Sequence, residues 1–97
     1  MKVVIGGAAK AELESAVYWY DEQLNGLGNR FAAEIHATVR RIVLFPQANT
    51  EIDSGIRRAL VRTFPYGIIY AARPDLIEII AIAHLHQKPH YWQDRIG

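Results

Sequence analysis

Residues 56–83 read IRRALVRT-FP-YGIIYAA-RPD-LIEIIAIA, and this stretch decides the fold. Residues 56–63 mix arginines and aliphatics with a period of two. Residues 66–72 are aromatic and β-branched, and residues 76–83 are almost wholly aliphatic. Each pattern marks a strand. Phe64-Pro65 and Arg73-Pro74-Asp75 supply the turns. Three consecutive strands joined by tight turns predict an antiparallel meander.

Upstream the period changes. Leu13, Ala16, Val17, Tyr20 and Leu24 recur at three and four, which makes one helical stripe. Asn25-Gly26 stops that helix. Leu27, Phe31, Ile35, Val39, Ile42 and Phe45 form a second stripe, ended by Pro46. The short connection predicts an antiparallel helix hairpin. Val3-Val4-Ile5, closed by Gly6-Gly7, is a short strand, and residues 47–55 read as a polar loop. The expected class is α+β: an N-terminal strand, then a helix hairpin packed on one face of a mostly antiparallel sheet. Residues 1–97 are expected to make a single domain.

Composition excludes several functions. The 97 residues contain no cysteine, so disulfides, thiolate metal sites and a cysteine nucleophile are ruled out. Hydrophobic residues are 51% and charged residues 22%, which fits a globular chain rather than a disordered one. No apolar run approaches the roughly 18 residues of a membrane span, and the first residues are too briefly apolar for a signal peptide. A cytoplasmic location without membrane contact is expected. Gly26-Leu27-Gly28 joins two helices and follows no strand, so it is not a nucleotide loop. Residues 1–54 carry five basic and seven acidic side chains; residues 55–97 carry six and three. The basic half contains the meander and His84, His86 and His90, as a surface for an anionic partner would.

If the strands alternate cleanly, Tyr66, Ile68 and Tyr70 face the helices. Leu60, Ile69, Ile80 and Ile82 then form the centre of the opposite face, rimmed by Arg58, Arg62, Arg73, His84 and His86. An exposed apolar patch rimmed by positive charge marks a binding surface. The alternative is that the tail, residues 85–97, folds over this face and buries it. The open face is the expectation. Glu12 and Glu14 read as helix-surface charge. Tyr18 and Trp19 are expected to be partly exposed, as a dimer surface or as cover for the sheet edge. His84-x-His86 on one strand has metal-ligand spacing, yet no third ligand is evident and no metal is expected.

These residues carry a resemblance. Phe64-Pro65-Tyr66-Gly67-Ile68-Ile69-Tyr70, the motif His84-x-His86-x-x-Pro89-x-Tyr91-Trp92-x-x-Arg95, Gly28-x-x-Phe31 and Pro46 resemble the RelE/ParE toxin superfamily, whose members are often labelled plasmid stabilisation proteins. The resemblance spans nearly the whole chain. It implies a RelE-like fold, a growth-inhibiting toxin of a type II toxin–antitoxin module, no cofactor, and a cognate antitoxin forming a hetero-oligomer with it. Two targets follow from the two branches: DNA gyrase for ParE-like members, ribosome-bound mRNA for RelE-like ones. Carried over by position, an RNA-cleaving site comprises Arg58, Arg62, His86 and Tyr91. Leu60 and Gly67 stand where that branch has cations, so the ParE-like branch is favoured. The antitoxin is expected on Leu60, Ile69, Arg73, Ile80, Ile82 and His84.

Overall fold

A computed structural model describes residues 1–96. Its elements are β1 (Lys2–Ile5), α1 (Gly7–Gln23), α2 (Leu27–Leu44), β2 (Thr50–Asp53), β3 (Ile56–Leu60), β4 (Tyr66–Arg73), β5 (Leu76–His84) and a short 3-10 helix, Gln93–Arg95. The sheet order is β1-β5-β4-β3-β2. β1 runs parallel to β5, and the other neighbours are antiparallel. This is the expected α+β arrangement, with one strand more than the sequence predicts. Residues 50–53, read as loop, form an edge strand instead. The Ser54-Gly55 turn folds it back on β3, with Gly55 at φ +72°. Its polar composition suits a sheet edge and hides its strand character.

The helix hairpin is held tight at its turn. A Cβ on Gly28 would stand 2.4 Å from the Val17 carbonyl oxygen, so only glycine lets the helices approach this closely. Asp21 Oδ1 accepts hydrogen bonds from Gly26 N and Gly28 N at 3.0 and 3.2 Å. A carboxylate at the start of α2 also complements its dipole. Phe31, Ile35 and Ile42 from α2 meet Ile68, Tyr70, Ile77 and Ile79 in the core. Leu24 and Phe45, predicted as the last residues of the two buried stripes, are instead 60% and 65% exposed. Each caps its helix with non-helical dihedrals, Leu24 extended and Phe45 at φ −138°, ψ 67°, so the helical period no longer holds there.

The main departure lies in β5. Ile69 pairs with Ala81 while Tyr70 pairs with Ile79, which leaves Ile80 as the extra residue of a β-bulge. A bulge resets the alternation. Beyond it, Ile82 joins the helix-side core, whereas Ile80, Ala81 and Ala83 face the other side. The expectation that Ile82 and His84 continue the outer face with Ile80 is therefore corrected. The ring of His84 packs against Tyr66 at a centroid distance of 5.1 Å, and its side chain borders a groove beside α1.

Candidate functional site

The outer face of the sheet is closed by the chain's own C-terminal segment. Trp92 is buried there among Ile56, Ile69, Ile80, Ala81 and Ala83, with Ile52 and Tyr91 at the margin. The expected open apolar face is thus corrected: Ile69 and Ile80 are 2% and 5% exposed, and an indole covers them. Burying this much apolar surface within one chain is favourable, and the sequence contains the residue able to do it.

One carboxylate takes most of the polar bonds that tie the segment down. Glu12 Oε1 accepts hydrogen bonds from Arg95 Nη1 at 2.8 Å and from the Ile82 amide at 3.0 Å. Glu12 Oε2 accepts from the Tyr91 hydroxyl at 2.6 Å and from Arg95 Nη2 at 3.1 Å. The two-pronged guanidinium–carboxylate pair is a strong form of ion pair. Arg95 Nη1 also donates to the Ile80 carbonyl, and Gln93 Nε2 donates to Asp53 Oδ2. Glu12 is accordingly not the free surface charge that the helical pattern implies. Nothing in its spacing announces partners some eighty residues away. Only the tail's Tyr91 and Arg95, one helical turn apart, hint at a shared acceptor.

This arrangement sets the chemistry of Tyr91. Burial first, then the hydrogen bond to and charge of Glu12, push its phenol well above the usual tyrosine range. Its proton is committed to a carboxylate. Arg95 is held more firmly protonated, chiefly by its hydrogen bond to Glu12. At the edge of the segment, bonds from Ser54 N and Gln93 lower the Asp53 carboxyl.

Between the segment and β3 lies a cleft of about 250 Å³. Arg58, His84, Lys88 and His90 line it above a floor that includes Ile69 and Trp92. Gly67 shapes this cleft, because a Cβ there would stand 3.0 Å from Cγ of Arg58 and displace its stem. Of the four residues expected to cleave RNA, Arg58 and Tyr91 meet at this cleft. His86 is exposed with its ring 5.1 Å from that of His84, and Arg62 is exposed beyond the end of β3. Neither lines the cleft. Of the six expected antitoxin contacts, Leu60 is 56% exposed and Arg73 is exposed in an ion pair with Glu78. His84 is half-buried, while Ile69, Ile80 and Ile82 are buried. Among the described residues no three histidine or carboxylate side chains gather as metal ligands. No helix there is long and apolar enough to cross a membrane.

The apolar surface left open lies elsewhere. Val3, Val4 and Ile5 are each 38–39% exposed on β1, which has only one neighbouring strand. A groove of about 320 Å³ adjoins it, lined by Val3, Ile5, Leu13, Ala32, Ile35 and Val39 among others. Sequence reasoning missed this surface, because a run of three apolar residues reads as a buried strand.

No family model matches the chain, and no curated protein matches it in sequence. In three dimensions it is similar to a chain of the structure described as the chromosomal ParDE TA system from P. aeruginosa. The TM-score is 0.70 at 15% identity, covering 89% of this chain and 97% of that one. At such identity the likeness establishes a shared fold, the one that the sequence resemblance implies.

Proposed function

We propose that this chain is the toxin of a type II toxin–antitoxin module, that it arrests growth, and that a cognate antitoxin silences it. The observation that carries this reading is a fold shared over almost the entire ParDE chain. Conserved architecture alone does not assign an activity; the motifs around residues 64–70 and 84–95 add independent support. The open β1 edge and its groove suit an extended antitoxin segment, since an unpaired strand edge accepts a further strand. On this reading Leu60, Arg73 and His84 are secondary contacts, Ile69 and Ile80 are not reached while Trp92 stays in place, and Ile82 is buried on the helix side.

The favoured target is DNA gyrase. Cleavage at a 2′-hydroxyl needs a base, an acid and cations around the phosphate. The Tyr91 hydroxyl donates to Glu12 instead of facing the cleft as an acid. Leu60 and Gly67 bring no cation, and Arg62 and His86 stand outside the cleft lining. One observation favours the second reading, a ribosome-dependent endonuclease: Arg58, Lys88 and two histidines do share a cleft.

The experiment is induced expression of the chain with and without the neighbouring reading frame. Growth should stop with the chain alone and resume with both. Undisturbed growth despite soluble protein would reject the toxin reading. During arrest, transcripts should remain intact while the purified chain blocks gyrase supercoiling. Codon-linked transcript cleavage, lost in Arg58→Ala with His86→Ala, would transfer the assignment to the endonuclease.

A further inference from the structure

Residues 86–96 are attached to the rest of the molecule in an unusual way. Leu85 N still donates to the Pro65 carbonyl. Beyond it, every backbone–backbone hydrogen bond among the described residues of the segment is local: Gln87 to His84, Tyr91 to Lys88, Gln93 to His90, Arg95 to Trp92 and Ile96 to Gln93. The segment therefore has internal turns of its own but no backbone pairing with the sheet or the helices. Side chains alone hold it: Trp92 in the outer apolar cluster, Gln93 on Asp53, and Tyr91 and Arg95 on Glu12. The outer cluster is separate from the helix-side core, and Trp92 is its cover.

We infer that residues 86–96 are a releasable strap, hinged beside Leu85 and latched by Glu12, which lifts as a unit and uncovers the apolar outer face while the body stays folded. The physical reason is the separation of the two sets of bonds. The β3–β4–β5 ladder and the helix-side core include no group of the strap, so opening breaks neither. Local opening of an element held by few contacts requires less free energy than global unfolding. Glu12 stands on α1, so the latch connects the helix layer to the far side of the sheet. Whatever takes Glu12 away from Arg95 frees that face. The inference goes beyond the toxin reading and does not depend on it.

The absence of cysteine makes a direct test available. Ala81→Cys places a thiol in the cluster that Trp92 covers, and Ala59→Cys places one in the helix-side core. Labelling by an aromatic disulfide reagent then reads strap opening and body opening separately. Adding Glu12→Gln should speed labelling at position 81 about tenfold or more, the size expected for losing a charged hydrogen-bonded pair. Position 59 should keep its rate. Arg95→Gln should act alike, and the double variant should add little, since both remove one latch. Should Glu12→Gln fail to fold, Tyr91→Phe gives the same pattern with a smaller rise. Equal acceleration at both positions would show that the strap opens only with the whole molecule. An unchanged rate at position 81 would show that Glu12 is not the latch. Either result overturns the inference.

Discussion

Glu12 shows how one side chain can change role between pattern and packing. On a helical wheel it belongs with the charges off the apolar stripe. In the fold it accepts four hydrogen bonds and joins α1 to the tail. Its partner Tyr91 gives a pH prediction with a definite sign. The folded phenol is raised above its unfolded value, near 10. The stability this contributes is complete below that pH and is lost as pH rises through the folded value. Tyr20 and Tyr66 are raised too, mainly by burial, so all three weaken the fold in alkali. Tyr91→Phe should cost about 1–2 kcal/mol at neutral pH. It should also flatten part of the alkaline decline, as denaturant midpoints measured from pH 8 upward will show. An alkaline slope equal to that of the unmodified chain would contradict this account. Gly28 makes the other residue-scale prediction. A methyl group 2.4 Å from the Val17 carbonyl must push the helices apart. Gly28→Ala should lower stability by about 1–3 kcal/mol despite alanine's better helix propensity, read from urea unfolding.

At the scale of elements, the β3–β4 turn and the β5 bulge decide where side chains go. Thr63 adopts φ +75°, a left-handed conformation that is costly for a β-branched residue. It ends β3 at Leu60, three residues before the predicted strand does. Thr63→Gly should therefore raise stability by about 1 kcal/mol, because relief of strain outweighs the glycine's added freedom when unfolded. A lowered midpoint in thermal unfolding would show that Thr63 contributes packing that outweighs its strain. The two helices, their turn and the meander were legible from period and punctuation. The bulge was not. Beyond Glu78, residues 79–83 are aliphatic on both faces, so no polar residue marks where the alternation slips. That silence misplaced Ile82 and His84 and, with them, part of the expected binding surface.

At the scale of the molecule, the chain presents two contrasting surfaces. One is the outer face, closed by Trp92 and fringed by Arg58 and Lys88 at its cleft. The other is the apolar β1 edge with its groove beside the helices. An exposed edge of Val3-Val4-Ile5 is a template for another strand, and proteins seldom leave one bare without a partner. If the chain is a toxin silenced by an antitoxin, as proposed, replacing Val4 with lysine should prevent that rescue while growth arrest persists. Co-expression of that variant with the neighbouring frame measures this directly. Restored growth would move the antitoxin to another surface.

Apart from the edge strand at residues 50–53, the chain's order of elements, its helix hairpin and its α+β class were written in local chemistry: apolar period, glycine and proline positions, and β-branched runs act within a few residues. The identity of the covered face was a matter of tertiary structure. Whether Trp92 lies on Ile69 and Ile80 depends on a bulge that redirects β5 and on a carboxylate that meets Tyr91 and Arg95 only after the sheet has formed. Such contacts join residues about eighty positions apart, and nothing in the spacing of a sequence encodes a distance that folding alone brings to hydrogen-bond length.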